Sequence, residues 1–116
     1  MPIPNILSIA GTDPTGGAGI QADLKSFAAH RGYGMCVVTA LVAQNTQGVR
    51  EIHAPPPAFL RAQLDAVTDD VTVHGAKTGM LGTTAIIDTV ADWWDETYAA
   101  ADPPALVVDP VMVSES

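Results

Sequence analysis

Short apolar runs alternate along this chain with segments whose apolar residues recur at helical spacing. The predicted strands are residues 6–10, 35–42, 49–53, 71–76 and 105–109, and the predicted helices are 18–29, 58–69 and one between Thr83 and Asp102. Runs that are apolar on both faces and separated by helices are typical of parallel strands joined by crossover connections. The sequence therefore predicts an α/β fold with a mostly parallel sheet.

Each predicted helix has an apolar stripe that should pack against the sheet. In the first helix this stripe is Ile20, Leu24, Phe27 and Ala28, and Asp23 lies off it. In the third helix, for which Thr83 is the expected cap, the stripe is Ile87, Val90, Ala91, Trp94 and Tyr98. Of the adjacent Trp93 and Trp94, one should therefore pack and the other should face outward.

The composition limits the possible partners and the location. The chain of 116 residues fits one domain, and 47% apolar residues with 16% charged residues indicate a folded protein. A net charge of −8 without a basic stripe disfavours nucleic acid and anionic membranes as partners. With Cys36 as the single cysteine, no membrane-length apolar run and no basic segment at the start, a cytoplasmic location is expected.

The final predicted strand, residues 105–109, is apolar enough to be central in the sheet, with Leu106, Val107 and Val108 in a row. A central parallel strand needs a following helix to cover it. Residues 110–116 are too few for that helix, so we expect an incomplete domain.

Polar and glycine residues follow the predicted strands, where open α/β sheets bind their ligands. After the first strand, Gly16, Gly17 and Gly19 would let the backbone approach a ligand, and the next helix start would offer free N–H groups. The alternative is a turn that simply needs glycine. Residues 17–22 also fit the dinucleotide pattern G-x-G-x-x-G/A, but the strand ends six residues too early, and Gln44 stands where a ribose-binding acid is needed.

Three residues at the other strand ends could contact a small molecule. The amide of Gln44 carries donors and an acceptor that could pair with an aminopyrimidine edge, although a glutamine after a strand is often a turn residue. Met80, with Val42, could form an apolar wall for a flat ring, or could simply pack in the core. Lys77 could meet a phosphate or be solvated.

Acidic residues offer a possible metal site. Asp109 ends an apolar strand directly before Pro110, where a carboxylate could hold Mg²⁺ near transferring phosphates or could cap a turn. Asp13 and Asp23 are further acids near the glycine loop, and Asp23 could equally lie on the solvated face of its helix.

Four ordered segments together resemble bacterial hydroxymethylpyrimidine/phosphomethylpyrimidine kinases. The segments are 10–25 (AGTDPTGGAGIQADLK), 39–46 (TALVAQNT), 77–81 (KTGML) and 108–112 (VDPVM). The resemblance runs through the whole chain in order and implies a ribokinase-like fold. It also implies an ATP-dependent kinase, a phosphotransferase that phosphorylates hydroxymethylpyrimidine and then its monophosphate with Mg-ATP in thiamine diphosphate biosynthesis.

The resemblance also suggests roles for individual residues. Gln44 would bind the aminopyrimidine edge, Ala18, Met80 and Val107 would surround the ring, and Gly11 would lie close to the substrate. Asp109 would belong to the Mg²⁺ and phosphate region. Family kinases are commonly dimers, so a homodimer is expected.

Length is where the chain departs from the family. Family enzymes are more than twice as long, and their Gly-Thr-Gly anion hole and catalytic base lie in a later part that has no counterpart here. We therefore expect residues 1–116 to be the amino-terminal, substrate-side part of the kinase domain and to be inactive alone. A fragment of a pyridoxal- or pyridoxine-type kinase and a non-catalytic pyrimidine-binding module remain alternatives.

Overall fold

The computed structural model describes residues 2–109, which form six strands and three helices. In chain order they are β1 (Asn5–Ala10), α1 (Gly19–Ala29), β2 (Tyr33–Val38), β3 (Leu41–Asn45), β4 (Gly48–His53), α2 (Pro57–Thr68), β5 (Gly75–Thr78), α3 (Thr84–Thr97) and β6 (Ala105–Val108). None of these helices is both long and apolar enough to cross a bilayer.

Four of the strands form a parallel sheet in the order β2-β1-β5-β6. The pairing of β1 with β2 runs from Asn5 opposite Tyr33 to Ala10 opposite Val38. Strands β3 and β4 form a separate antiparallel hairpin. The α/β fold with a mostly parallel sheet and crossover helices, expected from the sequence, is confirmed.

The two faces of the parallel sheet carry different helices. Leu7 and Ile9 of β1 are fully buried in a core that includes Leu60 of α2 and Trp93 of α3. Ser8 lies between them, so its side chain points to the opposite face. There it donates a hydrogen bond to Asp23 of α1. Helix α1 therefore covers one face, and α2 and α3 cover the other.

The strand predicted at residues 35–42 is in fact two strands. Strand β2 ends at Val38, and the Thr39 N–H still donates to the Ala10 carbonyl, 2.9 Å away. The chain then leaves the sheet: the Ala40 carbonyl accepts from the Thr12 N–H of the glycine loop, and not from a neighbouring strand. Strand β3 begins at the next residue, in the hairpin. An unbroken apolar run does not show where a strand changes sheets. Gln44 therefore lies within a strand, and not after one.

The strand predicted at residues 71–76 is shifted along the chain to β5, Gly75–Thr78. The alternation around Val71 and Val73 imitates a strand, yet this segment is tied to Asn5 by side-chain bonds that involve Thr72 and His74. Its backbone reaches β1 only at His74, whose N–H donates to the Asn5 carbonyl at 2.9 Å, and the paired strand begins at Gly75.

The buried stripe of α3 is displaced from the predicted one. Thr83 caps the helix as expected, accepting from the Ile86 N–H at 3.2 Å. However, the buried residues are Ile86, Val90 and Trp93, while Ile87 is 50% exposed. Both stripes fit helical spacing and share Val90, and Trp94 and Tyr98 of the predicted stripe pack against the core as partly buried residues.

Strand β6 lies at the edge of the sheet within residues 2–109, although its sequence predicts a central strand. Val107 and Val108 are 63% and 62% exposed, because no other element of the described chain pairs with this edge or covers it. The described residues thus contain an apolar strand without the covering helix that its composition predicts, and its central position stays a prediction.

Candidate functional site

The carboxyl ends of β1 and β5, the start of α1 and the hairpin surround a cavity of about 380 Å³. It is lined by Ala10, Gly11, Thr12, Ala18, Gly19, Asp23, Val42, Gln44, Val49, Ile52, Lys77, Gly79, Met80 and Asp109. The strand ends singled out in the sequence therefore converge, as expected for an open α/β sheet. We call this space the strand-end cavity.

The glycine loop between β1 and α1 closes tightly over the end of β1. The Ile20 N–H donates to the Gly11 carbonyl at 2.9 Å, so the helix starts directly against the strand end. Gly19 has φ +58, and a Cβ at this position would overlap the Gly11 carbonyl oxygen. Glycine is needed at 19 for this close approach, which places the first turn of α1 at the cavity.

Asp13 fixes the shape of the glycine loop. Its carboxylate accepts from the Thr15 N–H at 2.9 Å, from the Thr15 hydroxyl at 2.8 Å and from the Gly17 N–H at 3.0 Å. These bonds, the Thr15 N–H first, hold the pKa of Asp13 below its ordinary value of 3.8. Asp13 is buried and does not line the cavity, so it acts as a brace for the loop.

Replacing Asp13 with asparagine should reduce stability at neutral pH, because an amide NH₂ would face the loop's N–H donors. A lowered pKa in the folded state means that the charged carboxylate stabilises the fold above pH 3.8, and that this stabilisation is lost as the pH falls further. The gap between wild type and Asp13→Asn in urea unfolding midpoints should therefore be present at pH 7 and shrink below pH 3.8.

Asp88→Asn is the matched control for Asp13, since Asp88 is an exposed carboxylate on α3. It should leave the midpoint nearly unchanged at both pH values. A gap for Asp13→Asn that is equally large at low pH would show that the carboxylate charge is not what holds the loop.

A bulge in the hairpin aims Gln44 at the cavity. The register of β3 against β4 shifts between Ala43 and Gln44, and such bulges redirect side chains. The Gln44 amide donates to the Thr12 carbonyl at 3.3 Å. This bond uses one N–H of the amide, and the second N–H and the amide oxygen make no other hydrogen bond within residues 2–109.

Apolar groups flank Gln44 in the cavity. Val42 comes from the same strand, Ala18 precedes α1, and Met80 follows β5. The Met80 carbonyl accepts from the Thr39 hydroxyl at 3.1 Å, which ties the loop after β5 to the end of β2. A flat ring seated here would have an apolar wall and one polar amide at its edge.

Two linked polar side chains, those of Asp23 and Lys77, form another part of the wall. Asp23 accepts from the Ser8 hydroxyl at 2.7 Å and from the Lys77 ammonium at 2.6 Å. Asp23 is buried, so its alternative placement on the solvated face of α1 is wrong. The sequence contains both partners, but only the parallel pairing of Ser8 with Lys77 reveals that they lie side by side.

The remaining predicted site residues lie on or after β6. The Asp109 N–H donates to the Thr78 carbonyl at 3.0 Å, and Asp109 borders the cavity. Val107 pairs with Lys77 in the sheet but does not line the cavity within the described part of the chain. Residues 110–112 of the fourth motif lie outside the described residues.

Comparison with known proteins matches this chain to one family model and to proteins of thiamine biosynthesis. A family model for phosphomethylpyrimidine kinase matches residues 13–116. A thiamine biosynthesis multifunctional protein of Corynebacterium glutamicum is 60% identical over 97% of this chain and 14% of its own length. The hydroxymethylpyrimidine/phosphomethylpyrimidine kinase of Escherichia coli K12 is 50% identical over 97% of this chain and 41% of its own length.

Solved structures agree with this likeness. A phosphomethylpyrimidine kinase from Clostridium difficile 630 superposes with a TM-score of 0.87 at 43% identity, over 97% of this chain and 47% of that chain. A pyridoxal kinase from Staphylococcus aureus in complex with AMP-PCP and pyridoxal gives 0.81 at 36% identity, over 97% of this chain and 41% of that one. The chain thus spans less than half the length of each of these proteins.

Proposed function

The chain belongs to the phosphomethylpyrimidine kinase family, and we propose that its strand-end cavity binds the pyrimidine that such a kinase phosphorylates. Its fold is the ribokinase-like arrangement of these kinases. The reaction proposed for the whole enzyme is phosphorylation of hydroxymethylpyrimidine, and then of its monophosphate, in thiamine diphosphate biosynthesis.

One observation carries the proposal most directly. Gln44 presents an N–H donor and a carbonyl acceptor, in one plane, to a cavity whose walls include Ala18, Val42 and Met80. An aminopyrimidine edge also presents a donor beside an acceptor, so the two can pair while the ring lies against the apolar wall. The Thr12 carbonyl keeps the amide of Gln44 oriented for this contact.

ATP is the proposed phosphoryl donor, since the similar pyridoxal kinase of Staphylococcus aureus was solved with AMP-PCP. Magnesium is proposed at Asp109, whose place beside the cavity suits an ion held by one carboxylate, phosphates and water. Within residues 2–109, no group of three or more His, Cys, Asp or Glu side chains is placed to hold a metal ion. When bound, the ion would neutralise charge on the transferring phosphates.

The part that these residues play is to hold and orient the ring. Gln44 fixes its edge, Gly11 and Ala18 approach it with backbone and a small side chain, and the inner face of the hairpin shields it from water. We propose that residues 1–116 are the substrate side of the kinase domain. That they give no turnover alone, pair as a homodimer and work in the cytoplasm stay predictions.

The test is calorimetric titration of the chain with hydroxymethylpyrimidine. Wild type should bind, and Gln44→Ala should weaken binding by about 1–3 kcal/mol, roughly 5- to 150-fold, because a polar edge of the ring is left unpaired. Gln47→Ala is the matched control, since Gln47 lies exposed in the hairpin turn. No binding by folded wild type, or equal affinity for wild type and Gln44→Ala, would contradict the proposal.

A pyridoxal-type substrate is the second candidate, because this chain also resembles pyridoxal kinases at 36% identity. Pyridoxal lacks the aminopyrimidine edge, so it should bind more weakly than hydroxymethylpyrimidine and lose little affinity in Gln44→Ala. Tighter binding of pyridoxal would favour this candidate.

A further inference from the structure

Lys77 is the single lysine or arginine among the residues that line the strand-end cavity. The chain has only five such residues against thirteen acids, and two of those acids, Asp23 and Asp109, share the cavity wall. An anionic group entering this space would meet one fixed positive charge within the described chain. The position of that ammonium therefore decides where an anion can sit.

Lys77 is held in place from the centre of the sheet. Ser8 is fully buried in β1 and donates to one carboxylate oxygen of Asp23 at 2.7 Å. The other carboxylate oxygen accepts from the Lys77 ammonium at 2.6 Å. Because Ser8 and Lys77 are paired neighbours in the parallel sheet, strand register sets the geometry of all three groups.

This arrangement uses both carboxylate oxygens of Asp23 but only one N–H donor of Lys77. Both oxygens of Asp23 are hydrogen-bonded, and its side chain is only 12% exposed. The Lys77 ammonium has three N–H donors, of which one goes to Asp23, and its side chain is 28% exposed. Within residues 2–109 the other two donors have no protein partner, and Lys77 lines the cavity.

A purely structural role explains this set poorly. Removing charged groups from water costs free energy that an ion pair often fails to recover, so a buried pair is weak evidence for stability. A pair that borders a cavity, and whose ammonium still has two N–H donors for a ligand, can instead bind an anion in that cavity. Lysine is a compact cation that binds phosphate as a point charge.

We propose that Lys77, positioned by Asp23 and Ser8, binds the phosphate of the phosphorylated pyrimidine and makes the cavity prefer the monophosphate over the free alcohol. This inference rests on the proposed function, because Gln44 and the apolar wall must seat the ring first. Lys77 then acts on a group that only the second of the two substrates carries.

The test compares the Kd values of hydroxymethylpyrimidine and its monophosphate by calorimetry, using the chain itself. Lys77→Met should weaken the monophosphate by roughly 10- to 100-fold, the worth of a charge-assisted hydrogen bond, and leave the alcohol within about 3-fold of wild type. Added salt should weaken the monophosphate in wild type, and should do so less in the variant.

Two further variants control for misfolding and for a general loss of positive charge. Lys77→Gln keeps an N–H donor for Asp23, so it serves if Lys77→Met, which leaves a buried carboxylate unpartnered, does not fold. Arg50→Met removes one positive charge from an exposed side chain that does not line the cavity, and it should leave both Kd values unchanged. Circular dichroism establishes that each variant is folded.

The outcomes separate the two proposals. If the ring binds through Gln44 but folded Lys77 variants keep the wild-type preference, the role of Lys77 is wrong and the proposed function stands. Equal losses for both ligands, or the same loss in Arg50→Met, would also overturn the role of Lys77. If folded wild type binds neither ligand, both proposals fail.

Discussion

Replacing Gly19 with alanine is expected to lower the free energy of unfolding by roughly 1–3 kcal/mol from backbone strain alone, with a further loss from steric overlap. Gly19 has φ +58, which L-residues adopt at a cost, and the new Cβ would overlap the carbonyl oxygen of Gly11. Relief would require moving either the end of β1 or the start of α1. Urea unfolding followed by circular dichroism measures the change.

Gly82→Ala is the control for the steric part of this effect. Gly82 also has a positive φ, +91, but a Cβ there would meet no atom within 4 Å. It should therefore show the strain without the overlap, and should be the milder variant. If the two variants lose the same stability, the tight contact between the glycine loop and β1 is not as described.

Trp93→Ala is expected to lower the free energy of unfolding by about 3–5 kcal/mol. The side chain is 0% exposed, it contacts Trp94 and Tyr98 edge to face, and its indole N–H points to the Thr68 hydroxyl at 3.3 Å. Truncation leaves a cavity between α3 and the core that the sheet cannot fill. Thermal and urea unfolding would both show the loss.

The comparison for Trp93 is Trp94→Ala, on the adjacent residue. Trp94 is only partly buried and packs against the outside of the core, so its loss should be clearly smaller. A larger loss for Trp94 than for Trp93 would restore the stripe predicted from the sequence and contradict the observed rotation of α3.

The sequence predicts well those features that depend on local spacing. Strand β1 and the three helices lie close to where their apolar patterns place them, and Thr83 caps α3 as its position suggests. The convergence of Gly11 and Met80, which follow the neighbouring strands β1 and β5, agrees with the general rule for ligand sites in open α/β sheets. These predictions need only the order of the elements along the chain.

Features that depend on pairing between distant residues are not predictable in this way. The Lys77–Asp23 contact joins residues 54 positions apart, and it exists because β1 and β5 are neighbours in the sheet. The bulge that aims Gln44 and the hairpin that carries it arise where the chain leaves one sheet for another. The spacing in α3 fits two stripes equally well, and only tertiary packing chooses Trp93 over Trp94 for the core.

The most direct test of the account is an NMR titration of the ¹⁵N-labelled chain with hydroxymethylpyrimidine. The account predicts that the backbone amides of Gly11, Ala18, Gln44 and Met80, which surround the strand-end cavity, show the largest shifts. The outer face of the hairpin, at Leu41 and His53, should change little, because the neighbouring groove there is outside the proposed site. Shifts confined to that outer face, or no shifts in a folded chain, would contradict the claim that this cavity recognises a pyrimidine.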